Sequence, residues 1–177
     1  MSATTTDFAA RGREILQFAA TADREAWQNA WERPVSAFGE AEDCWTQFTL
    51  VTVSDFEAEL GFFADALGFD CFMVQGPTAD QPEAFRMAMM APGPLGDGNK
   101  GEYVMAFREA DADHPAIAPG SVQYEFMPKD LTNAWNRMTA AGAQVVREPW
   151  NDGWMEQATL RTPSGIDIQL WSTGTAG

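Results

Sequence analysis

The chain has 177 residues, 45% of them hydrophobic and 12% aromatic, and a formal charge of −15. That composition supplies a core and excludes a disordered chain. The acidic surface repels nucleic acid and anionic membranes, and either attracts cationic ligands or serves solubility.

No apolar run reaches the length of a membrane span, and Met1–Thr6 lacks the basic-then-apolar order of a signal peptide. Cys44 and Cys71 have no CxxC spacing and make no disulfide framework. A soluble cytoplasmic protein is expected.

Residues 1–44 read as a helical extension and linker. Within 4–33, Phe8, Ile15 and Phe18 fall roughly along one helical face, and Trp27 and Trp31 pair at i, i+4. Pro34 ends the helical pattern. The tryptophans need a surface to cover: the flank of a sheet, a second subunit, or a ligand site over which they act as a lid.

Residues 45–109 read as one unit. Trp45–Val53 (WTQFTLVTV) alternates and is rich in Thr, Val and Phe, which predicts a strand. Ser54 and Glu57 form an S-x-x-E capping box before a helix with Phe56, Leu60, Phe63 and Leu67 at core spacing, and Gly68 stands at its C-cap. FDCFMV, AFRMAMMA and GEYVMAFRE follow as three strands.

After a linker over 110–120, residues 121–177 repeat the order. SVQYEFMP predicts a strand. Asp130 caps a helix with Leu131, Trp135 and Met138 on one face, and Gly142 closes it. AQVVREP, WMEQATLRT and IDIQLWS are three more strands, separated by Asn151–Asp152–Gly153 and Pro163–Ser164–Gly165. Asp55 matches Asp130, and Gly68 matches Gly142 within one residue. The fold expectation is α+β, two tandem βαβββ modules after an N-terminal helical extension. Each module leaves a sheet face bare unless the two pack together.

VTVSDFEAELGFFADALGFDCF and REPWNDGWMEQATLRTPSGIDIQLW resemble the strand–Asp–helix–LGF stretch and the closing hairpin of the vicinal oxygen chelate superfamily, which includes glyoxalase I, extradiol dioxygenases and bleomycin-resistance proteins. Thr162–Pro163 stands where that family has Asp–Pro, and Gln169 where it has Glu. The resemblance covers about residues 45–172 as one glyoxalase-like domain and implies a cleft-bearing pair of half-barrels. It leaves the N-terminal helices unaccounted for.

Strand alternation then assigns side chains to the implied cleft. Phe48 and Leu50 are expected there from the first strand, with Thr49, Val51 and Val53 toward the helix. Tyr103, Met105 and Phe107 are assigned from the fourth strand, Gln123 and Glu125 from the fifth, and Asp167, Gln169 and Trp171 from the last. A one-residue shift of phase reverses each set.

The resemblance implies that family enzymes hold a divalent ion at positions matching Phe48, Met105, Gln123 and Gln169. Phe cannot ligate, and a thioether suits hard or borderline ions poorly. No metal cofactor is expected. The alternative is a divalent metal held by Gln123, Gln169 and Glu125. The single histidine, His114, lies in the linker, so no Ser–His–Asp set is available. Glu125 and Asp167 are the candidate acid–base pair.

Two readings stay open. One is a metal-free binder of a small aromatic or cationic ligand, resembling the bleomycin-resistance branch. The other is a lyase, isomerase or dioxygenase of the same superfamily, metal-dependent or using the carboxylates. A homodimer, with no nucleic-acid or membrane partner, is expected for both.

Overall fold

The computed structural model describes residues 7–21, 49–92 and 105–172. They form α1 (Phe8–Thr21), β1 (Thr49–Val53), α2 (Phe56–Leu67), β2 (Phe69–Gln75), β3 (Met87–Pro92), β4 (Met105–Glu109), β5 (Gln123–Phe126), α3 (Leu131–Ala140), β6 (Gln144–Asn151), β7 (Glu156–Arg161) and β8 (Asp167–Ser172). Trp27 and Trp31 lie outside the described residues. No described helix is long and apolar enough to cross a membrane.

The two helices of the repeat start and stop for the same physical reasons. Asp55 and Asp130 are the N-caps, and their carboxylates accept the backbone N–H of Ala58 at 3.0 Å and of Asn133 at 2.8 Å. The N-cap is thus Asp55, one residue after the expected Ser54, and with Ala58 at the third helical position no capping box forms. Glu57 reaches Arg86 instead, at 2.7 Å. Gly68 ends α2 at φ 74° and Gly142 follows α3 at φ 89°, a left-handed conformation that costs glycine nothing.

Each module closes a four-stranded sheet, in the orders β1-β4-β3-β2 and β5-β8-β7-β6. The first and last strands of each module pair in parallel, and the other pairs are antiparallel. The expected α+β fold with two βαβββ modules and an N-terminal helix is the one observed. β6 runs through Pro149 to Asn151, beyond its predicted end. It can do so because it is an edge strand with register shifts, where a missing N–H costs no ladder bond.

The helix-side faces of both sheets share one core. Val51, Val53, Phe63, Phe107 and Met105 from the first module meet Trp135, Met138, Leu160, Ile168 and Leu170 from the second. Phe69 and Phe126 join the modules edge to face, with centroids 5.9 Å apart. Arg137 on α3 donates to the Ala66 carbonyl at the end of α2, 2.7 Å away. At the start of α2 the 162–165 turn is docked, with the Ser164 hydroxyl accepting the Asp55 N–H at 3.2 Å.

α1 lies against α2 through two backbone contacts. A Cβ on Gly12 would run into the Glu57 carbonyl, and one on Gly61 into the Phe8 carbonyl. Phe8 packs edge to face on Phe62, 5.5 Å between centroids, and Leu16 also meets the core. The docking face therefore runs through 8, 12 and 16, where the expected stripe runs from 8 through 15; the Phe18 side chain lies outside the described ones. A glycine contact leaves no apolar signature for periodicity to find.

Candidate functional site

The outer face of the second sheet, opposite the shared core, carries the polar side chains. In β8, Ile168 and Leu170 point to the core, which leaves Asp167, Gln169 and Trp171 on the outside, as alternation predicts. Their cross-strand partners in β7 are Arg161, Thr159 and Gln157. β5 adds Gln123 beside Asp167 and Glu125 beside Gln169.

These groups are paired before any ligand arrives. The Thr159 hydroxyl donates to Gln169 Oε1 at 2.7 Å, and Gln169 Nε2 donates to Gln157 Oε1 at 3.1 Å. Gln157 Nε2 in turn donates to Asp152 Oδ2 at 2.7 Å. Asp152 is anchored by the backbone N–H groups of Met155 and Trp154, which hold its carboxyl below the usual carboxylate range. The amide of Gln169 thus has a fixed orientation, set by a relay that ends in the β6–β7 turn.

Asp167, one of the two candidate acid–base carboxylates, is paired. Arg161 holds it with two hydrogen bonds, at 2.6 and 3.1 Å. The guanidinium compensates the charge assigned to attracting cations, and acid–base work would have to displace that ion pair. Glu125 accepts the Gln123 amide at 3.4 Å and has no cation beside it among the described residues.

Sequence reasoning missed three further features of this face. Gln157, Thr159 and Arg161 alternate in β7 just as Asp167 and Gln169 do in β8, so their signal was present. Arg147 and Trp150 were hidden by the register shift between them. The shift sets them opposite Thr159 and Gln157, with the Arg147 guanidinium 3.6 Å from the Trp150 ring centroid. Trp171 carries a buried indole N–H with no hydrogen-bond partner among the described residues.

On the first sheet the phase of β4 corrects two expectations. Met105 and Phe107 are fully buried in the shared core, because parallel pairing sets them beside Thr49 and Val51 on the helix side. The outer-face residues of β4 are Ala106 and Arg108. Ala106 joins Met87, Met89 and Ala91 in a separate apolar cluster, flanked by Met73 and Phe85. Arg108 lies over the Phe85 ring at 4.2 Å and reaches Asp111 at 2.7 Å. Leu50, assigned to the cleft, is on the outer side beside Ala106 and is exposed. Phe48 and Tyr103 lie outside the described residues. Of the methionines read as core filler, Met90 is in the shared core, and Met87 and Met89 lie on the other face.

The described donors do not suit a divalent ion. Met105 faces the core, and Gln169 offers only a neutral amide oxygen that already accepts from Thr159. Gln123 meets Glu125 at 3.4 Å, and no group of three His, Cys, Asp or Glu converges among the described residues. Two neutral amides and one carboxylate replace too little of a dication's hydration. His114, in the linker, sits 3.1 Å from Asp111. Burial pushes the Cys71 thiol up to about 12, which disfavours the thiolate.

No curated protein matches the sequence. Among solved structures the chain is similar to TnmS3, an antibiotic binding protein from Streptomyces sp. CB03234. Identity is 25% over 74% of this chain and 97% of that one, with a TM-score of 0.51. TioX from Micromonospora sp. ML1 matches at 17% identity and TM-score 0.50, over 75% of this chain and 99% of that one. Glyoxalase I from Zea mays matches at 16% identity and TM-score 0.55, over 69% of this chain and 42% of that one. The last two show the fold alone. The family model for the glyoxalase/bleomycin resistance protein/dioxygenase superfamily matches residues 45–170, and with the paired βαβββ modules this establishes that the chain belongs to that superfamily.

Proposed function

We propose that the protein is a cytoplasmic binder of a small, partly aromatic organic molecule, which it holds without a metal on the outer face of the second sheet. The observation that carries this reading is the pre-oriented amide of Gln169, locked between Thr159 and Gln157 in the same strand as Trp171. A fixed amide beside indole rings offers directional hydrogen bonds and a stacking surface at low entropic cost. Glu125 supplies a negative group for a ligand that also carries a cation. The antibiotic-binding description of TnmS3 supports the same class of ligand. A homodimer fits the exposed Met127, Val145, Val146 and Trp154, all on the second module.

Fluorescence titration with a panel of planar aromatic compounds tests the reading, together with metal analysis of protein carrying no metal-chelating tag. The expected result is saturable quenching by some of the panel and no stoichiometric metal. Stoichiometric zinc, nickel, iron or manganese, released when Gln169 or Glu125 is replaced, would instead assign an enzyme of the superfamily.

A further inference from the structure

The proposed binding face makes no use of one buried ionisable group at the seam between the modules. Glu59 on α2 is fully buried. Its Oε2 accepts the Ser164 backbone N–H at 2.9 Å. Its Oε1 is buried with no partner. Thr162 and Ser164, which lie in the turn before β8, are buried with it.

No cation faces this carboxyl among the described residues. The turn contributes hydroxyls and a backbone N–H, and its flanking charges, Arg161 and Asp167, bind each other. On α2 the charge acting on Glu59 is Asp55, of the same sign. From α1, Arg13 acts on Glu57. From α3, Arg137 is spent on the Ala66 carbonyl at the far end of α2. A carboxylate here would lose its hydration, keep one oxygen unsatisfied and have no counter-ion, so the neutral form is favoured.

We propose that Glu59 is a pH-sensitive latch: its neutral carboxyl holds the 162–165 turn of the second module on α2 of the first, and its ionisation loosens that seam. Burial is the largest influence and pushes the carboxyl from 4.5 up to about 7, against the lowering effect of the Ser164 hydrogen bond. The folded state therefore holds a proton that the unfolded chain has released. The stabilisation is complete below the unfolded value of 4.5 and is lost as pH rises through about 7. The turn leads directly into β8, so loosening it reaches Asp167 and Gln169.

Thermal unfolding and amide exchange of the full chain, from about pH 5.5 to about pH 8.5, test the latch by comparing wild type with Glu59→Gln. The wild-type Tm should fall relative to the variant by on the order of 5 °C across this range. The Ser164 amide should lose protection over the same interval, beyond the intrinsic pH dependence of exchange. Parallel Tm profiles for the two proteins would overturn the proposal. If Glu59→Gln does not fold, the wild type decides alone: a Ser164 amide whose protection stays flat from about pH 5.5 to about pH 8.5, once the intrinsic dependence is removed, overturns the proposal. A carboxyl carbon resonance of Glu59 titrating at about 4–5, the ordinary range, would also overturn it.

Discussion

Arg161 and Asp167 face each other across β7 and β8 and are joined by two hydrogen bonds, at 2.6 and 3.1 Å. Their side chains retain only 24% and 13% of their exposure, so water does little to replace the bond if it breaks. Gly120, at φ 78°, leaves the space this guanidinium fills, since a Cβ there would lie 2.8 Å from Arg161 Nη2. Arg161→Ala strands a nearly buried carboxylate and should cost about 1–3 kcal/mol in urea denaturation. Arg161→Lys should recover only part of the loss, because an ammonium cannot make the paired geometry. Full stability in Arg161→Ala would show that Asp167 is well solvated.

Gln169 is the residue on which the binding reading can be tested separately from the fold. With Oε1 accepting from Thr159 and Nε2 donating to Gln157, each end of its amide keeps one hydrogen-bonding position for a ligand. Gln169→Ala should weaken a binding aromatic probe by about 1–3 kcal/mol, measured by calorimetry. Gln157→Ala should weaken it less, because it frees the amide to turn without removing it. Equal affinity in wild type and Gln169→Ala would move the site elsewhere.

Phe107 tests the corrected phase of β4. It is fully buried, 4.8 Å from the Phe63 centroid, in the shared core. Phe107→Leu removes part of the ring's volume and should lower stability by about 1–2 kcal/mol while leaving probe affinity unchanged. Phe107→Ala should cost about 3–5 kcal/mol. A loss of affinity in Phe107→Leu at unchanged stability would contradict its placement.

α1 docks on α2 by backbone contact, so the usual preference for alanine over glycine in helices should reverse here. Gly12→Ala and Gly61→Ala each push a methyl into a backbone carbonyl of the other helix. Each is expected to destabilise by about 1–3 kcal/mol, the range for overpacking, despite a gain of about 1 kcal/mol in helix propensity. Chemical denaturation of the two variants decides the sign.

Local chemistry was enough to give the order of the elements. Asp55, Asp130, Gly68 and Gly142 act within a turn of their own helix, and alternation in IDIQLWS follows from the two-residue period of a strand. Those features identify two βαβββ modules and the outer face of β8 before any packing is known. They do not fix which residues a strand presents once it is paired. The parallel register of β1 and β4 put Met105 and Phe107 in the core, and the register shift in β6 brought Arg147 and Trp150 to one face. The partners that neutralise Asp167, orient Gln169 and bury Glu59 were likewise set by tertiary structure. Pairing and docking depend on the fit between whole faces, and a shift of one residue, or a glycine in place of a side chain, changes that fit without altering the hydrophobic pattern of either segment.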